Sequence, residues 1–191
     1  MEFNLHGFKS FDELMAFHCA PALLGVKPAN LVCCPTASMP MLAPWIEKAK
    51  VNFARQGIAF EILCQCEVRT LLLVYRPAQL EHLLKDSRNS RYLSGLGYEA
   101  GEVRYMLHQL GWKINCSKEF PHEIGIFLGY PLEDIVGFVE NKGQNCRYSG
   151  YWKVYGDVGY AKQLFNIYNN CRDRLMQAIA QGVPLHVAVA S

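Results

Sequence analysis

The chain of 191 residues lacks a strong charge of either sign: 19 lysines and arginines oppose 17 aspartates and glutamates, a formal net charge of +2. A polyanion finds no whole-molecule field to draw it in, so no nucleic-acid partner is expected. Charged residues make up only 19% of the chain and hydrophobic ones 51%, a balance that excludes a disordered, solvated polymer. Long apolar runs are missing too. The longest, Leu71 to Tyr75, falls far short of the roughly 18 to 20 residues needed to cross a bilayer. Met1-Glu2-Phe3-Asn4-Leu5-His6 has neither the basic start nor the apolar core of a secretory leader. The expectation is a cytoplasmic protein without a membrane partner, its eight cysteines kept as thiols.

Familiar chemical motifs are also scarce. His122-Glu123 starts like the His-Glu-x-x-His zinc-protease signature, but Ile126 stands where the second histidine is required. Cys33-Cys34 are adjacent and Cys64-x-Cys66 are separated by one residue, so neither pair has zinc-site spacing. Gly143, Gly150 and Gly156 form no strand-to-helix phosphate loop. No internal repeat is present.

What is there reads as alternating helices and strands. Ser10 with Glu13 makes a capping box for a helix carrying Phe11, Leu14 and Met15, which Pro21 is expected to interrupt. Helical spacing from Leu42 through Trp45, Ile46, Ala49 and Phe53 ends at Gly57, and Ile58, Phe60, Ile62 and Cys64 alternate as a strand. The continuous run Leu71–Tyr75 predicts a strand covered on both faces, antiparallel to its predecessor, with Pro77 opening the next helix. Asp86 to Gly101 reads as a mobile connection before a helix through Val103, Met106, Leu107 and Leu110. Two short helices around Ile124–Leu128 and Leu132–Val139 should meet at Gly129 and Pro131. A strand Tyr151–Tyr155, a long helix capped by Asp157 and a last strand Leu185–Val189 complete the chain. The expected fold is α/β or α+β: a mixed sheet of about four to five strands with helices packed on it, residues 1–191 forming one domain.

Three segments are distinctive together: His18-Cys19-Ala20-Pro21 with Gly25 and Lys27; Phe120-Pro121-His122-Glu123 running on through Gly129-Tyr130-Pro131-Leu132-Glu133-Asp134; and Gly150-Tyr151-Trp152-Lys153-Val154-Tyr155-Gly156-Asp157. In these the chain resembles the uncharacterised bacterial domain-of-unknown-function family 3793, over nearly its full length. The resemblance implies a protein mainly of anaerobic bacteria, associated with metal or redox homeostasis, and supplies no catalytic residues.

The candidate site therefore rests on chemistry. His18 and Cys19 put an imidazole and a soft sulfur beside an expected helix break, as metal ligands or as base and nucleophile. A helix beginning at Pro21 would favour a Cys19 thiolate, whereas the end of the preceding helix would disfavour one. In the plainer alternative Cys19 is a buried small hydrophobe and His18 a hydrogen-bonding residue. His122 and Glu123, after Pro121, could move a proton or bind a metal, or simply cap a helix. Candidate catalytic residues are thus Cys19, His122 and Glu123; candidate metal ligands are His18, Cys19 and His122. A cofactor of unknown kind could be held by His18, Lys27, Trp152, Lys153 and Tyr155. Arg147, Lys153 and Lys162 with Tyr148, Tyr151, Trp152 and Tyr155 could form a basic aromatic face for a planar anion, or an amphipathic strand with snorkelling lysines. The functions in view are a binding protein for a small molecule, metal or redox cofactor, a thiol enzyme using Cys19, and a protein-interaction subunit.

Overall fold

The computed structural model describes residues 8, 10–36, 39, 41–117 and 119–191; the Met1–His6 segment lies outside them. A three-stranded sheet stands between two layers of helices. Strands β1 (Ala29–Pro35), β2 (Ala59–Gln65) and β3 (Arg69–Tyr75) run in the order β1-β3-β2, with both pairings antiparallel. The sheet is therefore purely antiparallel and has fewer strands than the four to five expected. β3 lies in its centre, as its uninterrupted apolar run predicts: Leu72 and Val74 face one core, Leu73 and Tyr75 the other. Burying each of Leu72 and Leu73 completely is worth about 1.5–3 kcal/mol.

One face of the sheet carries α1 (Phe11–Leu23), α2 (Leu42–Phe53), the carboxyl half of α8 (Val158–Ala180) and α9 (Leu185–Ala190). The other carries α3 (Pro77–Lys85), α4 (Ser87–Gly95), α5 (Val103–Cys116) and α6 (Ile124–Phe127), with α7 (Leu132–Glu140) following. A third cluster joins the hairpin of β4 (Tyr148–Ser149) and β5 (Lys153–Val154) to the amino half of α8. Among the described residues, no helix is long and apolar enough to cross a membrane.

Four expectations are corrected. Pro21 does not interrupt α1, which continues to Leu23. Proline forfeits only one helical hydrogen bond, and here it sits one turn from the helix end. Of the connection expected from Asp86 to Gly101, the first part is α4, capped by the Asp86 carboxylate, which accepts from the backbone N–H groups of Arg88 and Asn89; residues 96–101 do join it to α5 without regular structure. Leu185–Val189 is helical: Leu185 and Ala188 are buried three residues apart, a spacing that so short an apolar run leaves ambiguous. The strand expected over Tyr151–Tyr155 shrinks to the two residues of β5, while β1 was not foreseen.

Candidate functional site

The end of α1 turns Lys27 into the protein. Gly25 adopts the left-handed conformation (φ 76°), and Gly25 N–H and Val26 N–H donate back to the carbonyls of Ala22 and Pro21, the Schellman arrangement that glycine permits. Lys27 N–H donates to the same Pro21 carbonyl. The Arg76 guanidinium, at the end of β3, donates to the carbonyls of Ala22 and Leu23, bringing positive charge to the negative end of the helix dipole. Asn30 Oδ1 on β1 accepts from Ala22 N–H at 3.1 Å. Three fixed contacts thus define where the chain leaves α1, and the Lys27 side chain follows inward.

Lys27 is 2% exposed. Its ammonium lies 4.8 Å from the centre of the Tyr130 ring and 5.6 Å from that of Tyr168, favourable cation–π contacts. No ion pair to it forms among the described residues. Burial lowers its pKa to about 7, with the nearby Cys19 acting weakly in the opposite sense. Burial also pushes the Tyr130 phenol up to about 12 and the Tyr168 phenol higher still. Tyr130 stacks on Trp152 at 4.7 Å, and the Trp152 indole donates to Asp134 Oδ2 at 2.6 Å. Asp134 is itself buried and its Oδ1 accepts from the backbone N–H groups of Tyr155 and Gly156, each at 2.7 Å. A carboxylate with three charge-assisted bonds therefore fixes the outer wall of the cage around Lys27.

Cys19 is fully buried in α1 and lies electrostatically close to Lys27 and to Cys34. It occupies the carboxyl-terminal part of its helix, the end whose dipole disfavours a thiolate, and burial is the main reason its thiol is held far above the ordinary range. Cys34 is raised to about 12 for the same reason. His18, half-buried and adjacent to Cys19 in the helix, meets the rings of Phe8 (5.4 Å) and Phe17 (4.9 Å); burial lowers its pKa.

His122 and Glu123 lie beyond the sheet from Cys19: the adjoining Ile124 belongs to the opposite core. His122 sets its ring against Phe138 at 4.8 Å, and Glu123 Oε1 accepts from the Tyr98 hydroxyl at 3.1 Å. Among the described residues, no three of the His, Cys, Asp or Glu side chains converge as a metal site, so His18, Cys19 and His122 are not gathered into one ligand set. The Lys153 ammonium donates to the Gly143 carbonyl at 2.6 Å, and the Tyr155 hydroxyl to that of Gln144 at 2.9 Å; both tether the loop after α7. Of the sequence-derived candidates, the fold brings together Cys19 and Lys27, with Trp152 one ring away. Tyr130, Tyr168, Asp134 and Arg76 were not foreseen as parts of this centre. Tyr168 falls within the long helix read after Asp157, and Asp134 within the second of the three distinctive segments.

Fold and centre together define an α+β protein built around a buried lysine in an aromatic cage. The chain belongs to the family described as "Protein of unknown function (DUF3793)", whose model matches residues 15–188 and so takes in every residue of the centre. No curated protein and no solved structure matches the chain.

Proposed function

We propose that this protein binds a small molecule through a negatively charged group placed against Lys27, within the cage of Tyr130 and Tyr168. The observation that carries the reading is the burial of Lys27 with no ion pair to it among the described residues. An isolated buried charge is costly, and perturbed, desolvated groups of this kind concentrate at functional sites. The ammonium can only donate, and neither it nor the Tyr130 and Tyr168 hydroxyls make a side-chain hydrogen bond within the described residues. An anion supplies what they lack. Both halves of the chain contribute and both cores pack on β3, so the unit that binds is the whole domain.

Burial, Cys34 and the helix end favour the protonated Cys19 thiol and outweigh the pull of Lys27 towards the thiolate, so a Cys19 nucleophile is not the reading this environment favours.

The test is thermal melting at matched ionic strength with acetate, oxalate, pyruvate and inorganic phosphate against chloride, for the natural chain and Lys27→Met. At least one anion should raise the melting temperature of the natural chain and leave that of the variant unchanged. Equal shifts in both proteins, or no shift above chloride in either, would overturn the reading.

A further inference from the structure

A groove of about 330 Å³ lies between the β4–β5 hairpin and α8, on the outer side of the aromatic cluster. Its floor is made of rings. Tyr148 stacks over the buried Phe165 at 6.0 Å and 27°, and Tyr151 leans on Phe165 at 5.4 Å. Gly150 lets the hairpin approach so closely: a Cβ there would come within 2.2 Å of the Phe165 ring. Any side chain at this position must displace the floor.

The rim donates. Lys162 holds its ammonium 4.9 Å from the centre of the Tyr148 ring and forms no ion pair among the described residues. The Asn169 carbonyl oxygen accepts from the Tyr151 hydroxyl at 3.0 Å, and its amide nitrogen donates to no described residue. Asn166, exposed on the next turn, makes no side-chain hydrogen bond to a described residue. Trp152, Lys153 and Tyr155, which the sequence groups with these residues, are committed to Asp134 and to the loop carbonyls. The sequence's basic aromatic face is thereby reduced to the part that lines the groove.

We propose that this groove is a second binding site, separate from Lys27, and that its ligand is a planar aromatic carboxylate. The ring would stack on Tyr148 and Tyr151, worth more than area alone when faces align. The carboxylate would take the Lys162 ammonium and the Asn169 amide N–H.

Calorimetric titration with indole-3-carboxylate tests this, with neutral indole and cyclohexanecarboxylate as the arms that remove charge and planarity. The expected result is saturable binding with Kd at or below about 1 mM, at least about five-fold tighter than either control. Lys162→Gln and Tyr148→Ala should each weaken it about five- to ten-fold, while Lys27→Met leaves it unchanged. Lys162 is exposed on a helix, so that variant keeps the fold and decides the matter alone if Tyr148→Ala does not. Absence of saturable binding, equal affinity in Lys162→Gln, equal affinity for the controls, or loss on Lys27→Met would each overturn the proposal. The last of these would transfer the ligand to the Lys27 centre instead.

Discussion

Replacing Lys27 with methionine should stabilise the protein, by an amount that falls as pH rises. Methionine keeps the length and apolar stem of the side chain and removes the charge. Lowering the lysine pKa from 10.5 to about 7 corresponds to a cost on the order of 5 kcal/mol for holding the charged form in the fold, at about 1.4 kcal/mol per pH unit. Below about pH 7 both the folded and the unfolded chain hold the proton, and the whole cost is present. Between about pH 7 and 10.5 the unfolded chain binds more protons than the folded one, so the cost shrinks as pH rises and vanishes above that window. Cys19 and Cys34 act in the opposite direction, since thiols raised by burial destabilise the fold once unfolded thiols ionise near pH 9. The difference between the natural chain and the variant isolates the lysine. Urea unfolding under reducing conditions, followed by far-ultraviolet circular dichroism at about pH 6 and about pH 10, should give the variant an advantage of about 3–5 kcal/mol at the lower pH and under about 1 kcal/mol at the higher. An advantage that does not change with pH, or a variant less stable at pH 6, would refute the reasoning.

Asp134→Ala should cost about 3–5 kcal/mol in urea unfolding, because it strands the Trp152 indole and two backbone N–H groups inside the protein, and should alter Trp152 fluorescence in the folded state. In timed alkylation read by peptide mass spectrometry, Cys66 should react before Cys19: it is exposed and backbone N–H groups of Arg69 and Val68 favour its thiolate, whereas Cys19 is sealed. Gly129→Ala should destabilise by at least about 1–2 kcal/mol, since φ is 75° there and a Cβ would come within 2.7 Å of the Pro28 ring. Anion binding at Lys27 should take up close to one proton per site at about pH 8, detected as a buffer-dependent enthalpy.

Much of the fold was legible because it follows from local rules. Ser10 accepts from Glu13 N–H as the capping box requires, Pro77 stands at the first turn of α3, and the run at Leu71–Tyr75 became the doubly covered central strand. The misreadings have two kinds of cause: local signals that were missed or ambiguous, at the Asp86 cap and at Leu185–Val189, and tertiary contacts that overrode a local signal. Pro21 stays helical because Arg76, Asn30 and the Gly25 turn hold the helix end from outside it. β1 was invisible because its partner in sequence is not its partner in space. Of the candidate site, the residue types were legible and their assembly was not. His18 and Cys19 are neighbours in the chain, yet successive positions on a helix diverge by about 100°, and the sheet separates Cys19 from His122. Lys27 acquired its setting from Tyr130 and Tyr168, which no spacing rule ties to it.

The contacts that place Lys27 lie outside the cage they create. Arg76 and Asn30 hold the end of α1, Gly25 reverses the chain, Gly129 lets Tyr130 approach beside Pro28, and Asp134 fixes Trp152 behind Tyr130. Each has a local structural reason, but together they maintain a buried ammonium that the fold alone would do better without. Among the described residues the Lys27 ammonium meets two aromatic rings and no ion pair, which differs from an ordinary core, where a buried charge is paired. Burial drives the amine and the Cys19 thiol both towards their neutral forms, and an anion placed against Lys27 would give the amine a reason to hold its proton. Binding and protonation are then two readings of one equilibrium, which is why Lys27→Met should gain stability and lose the anion in the same step.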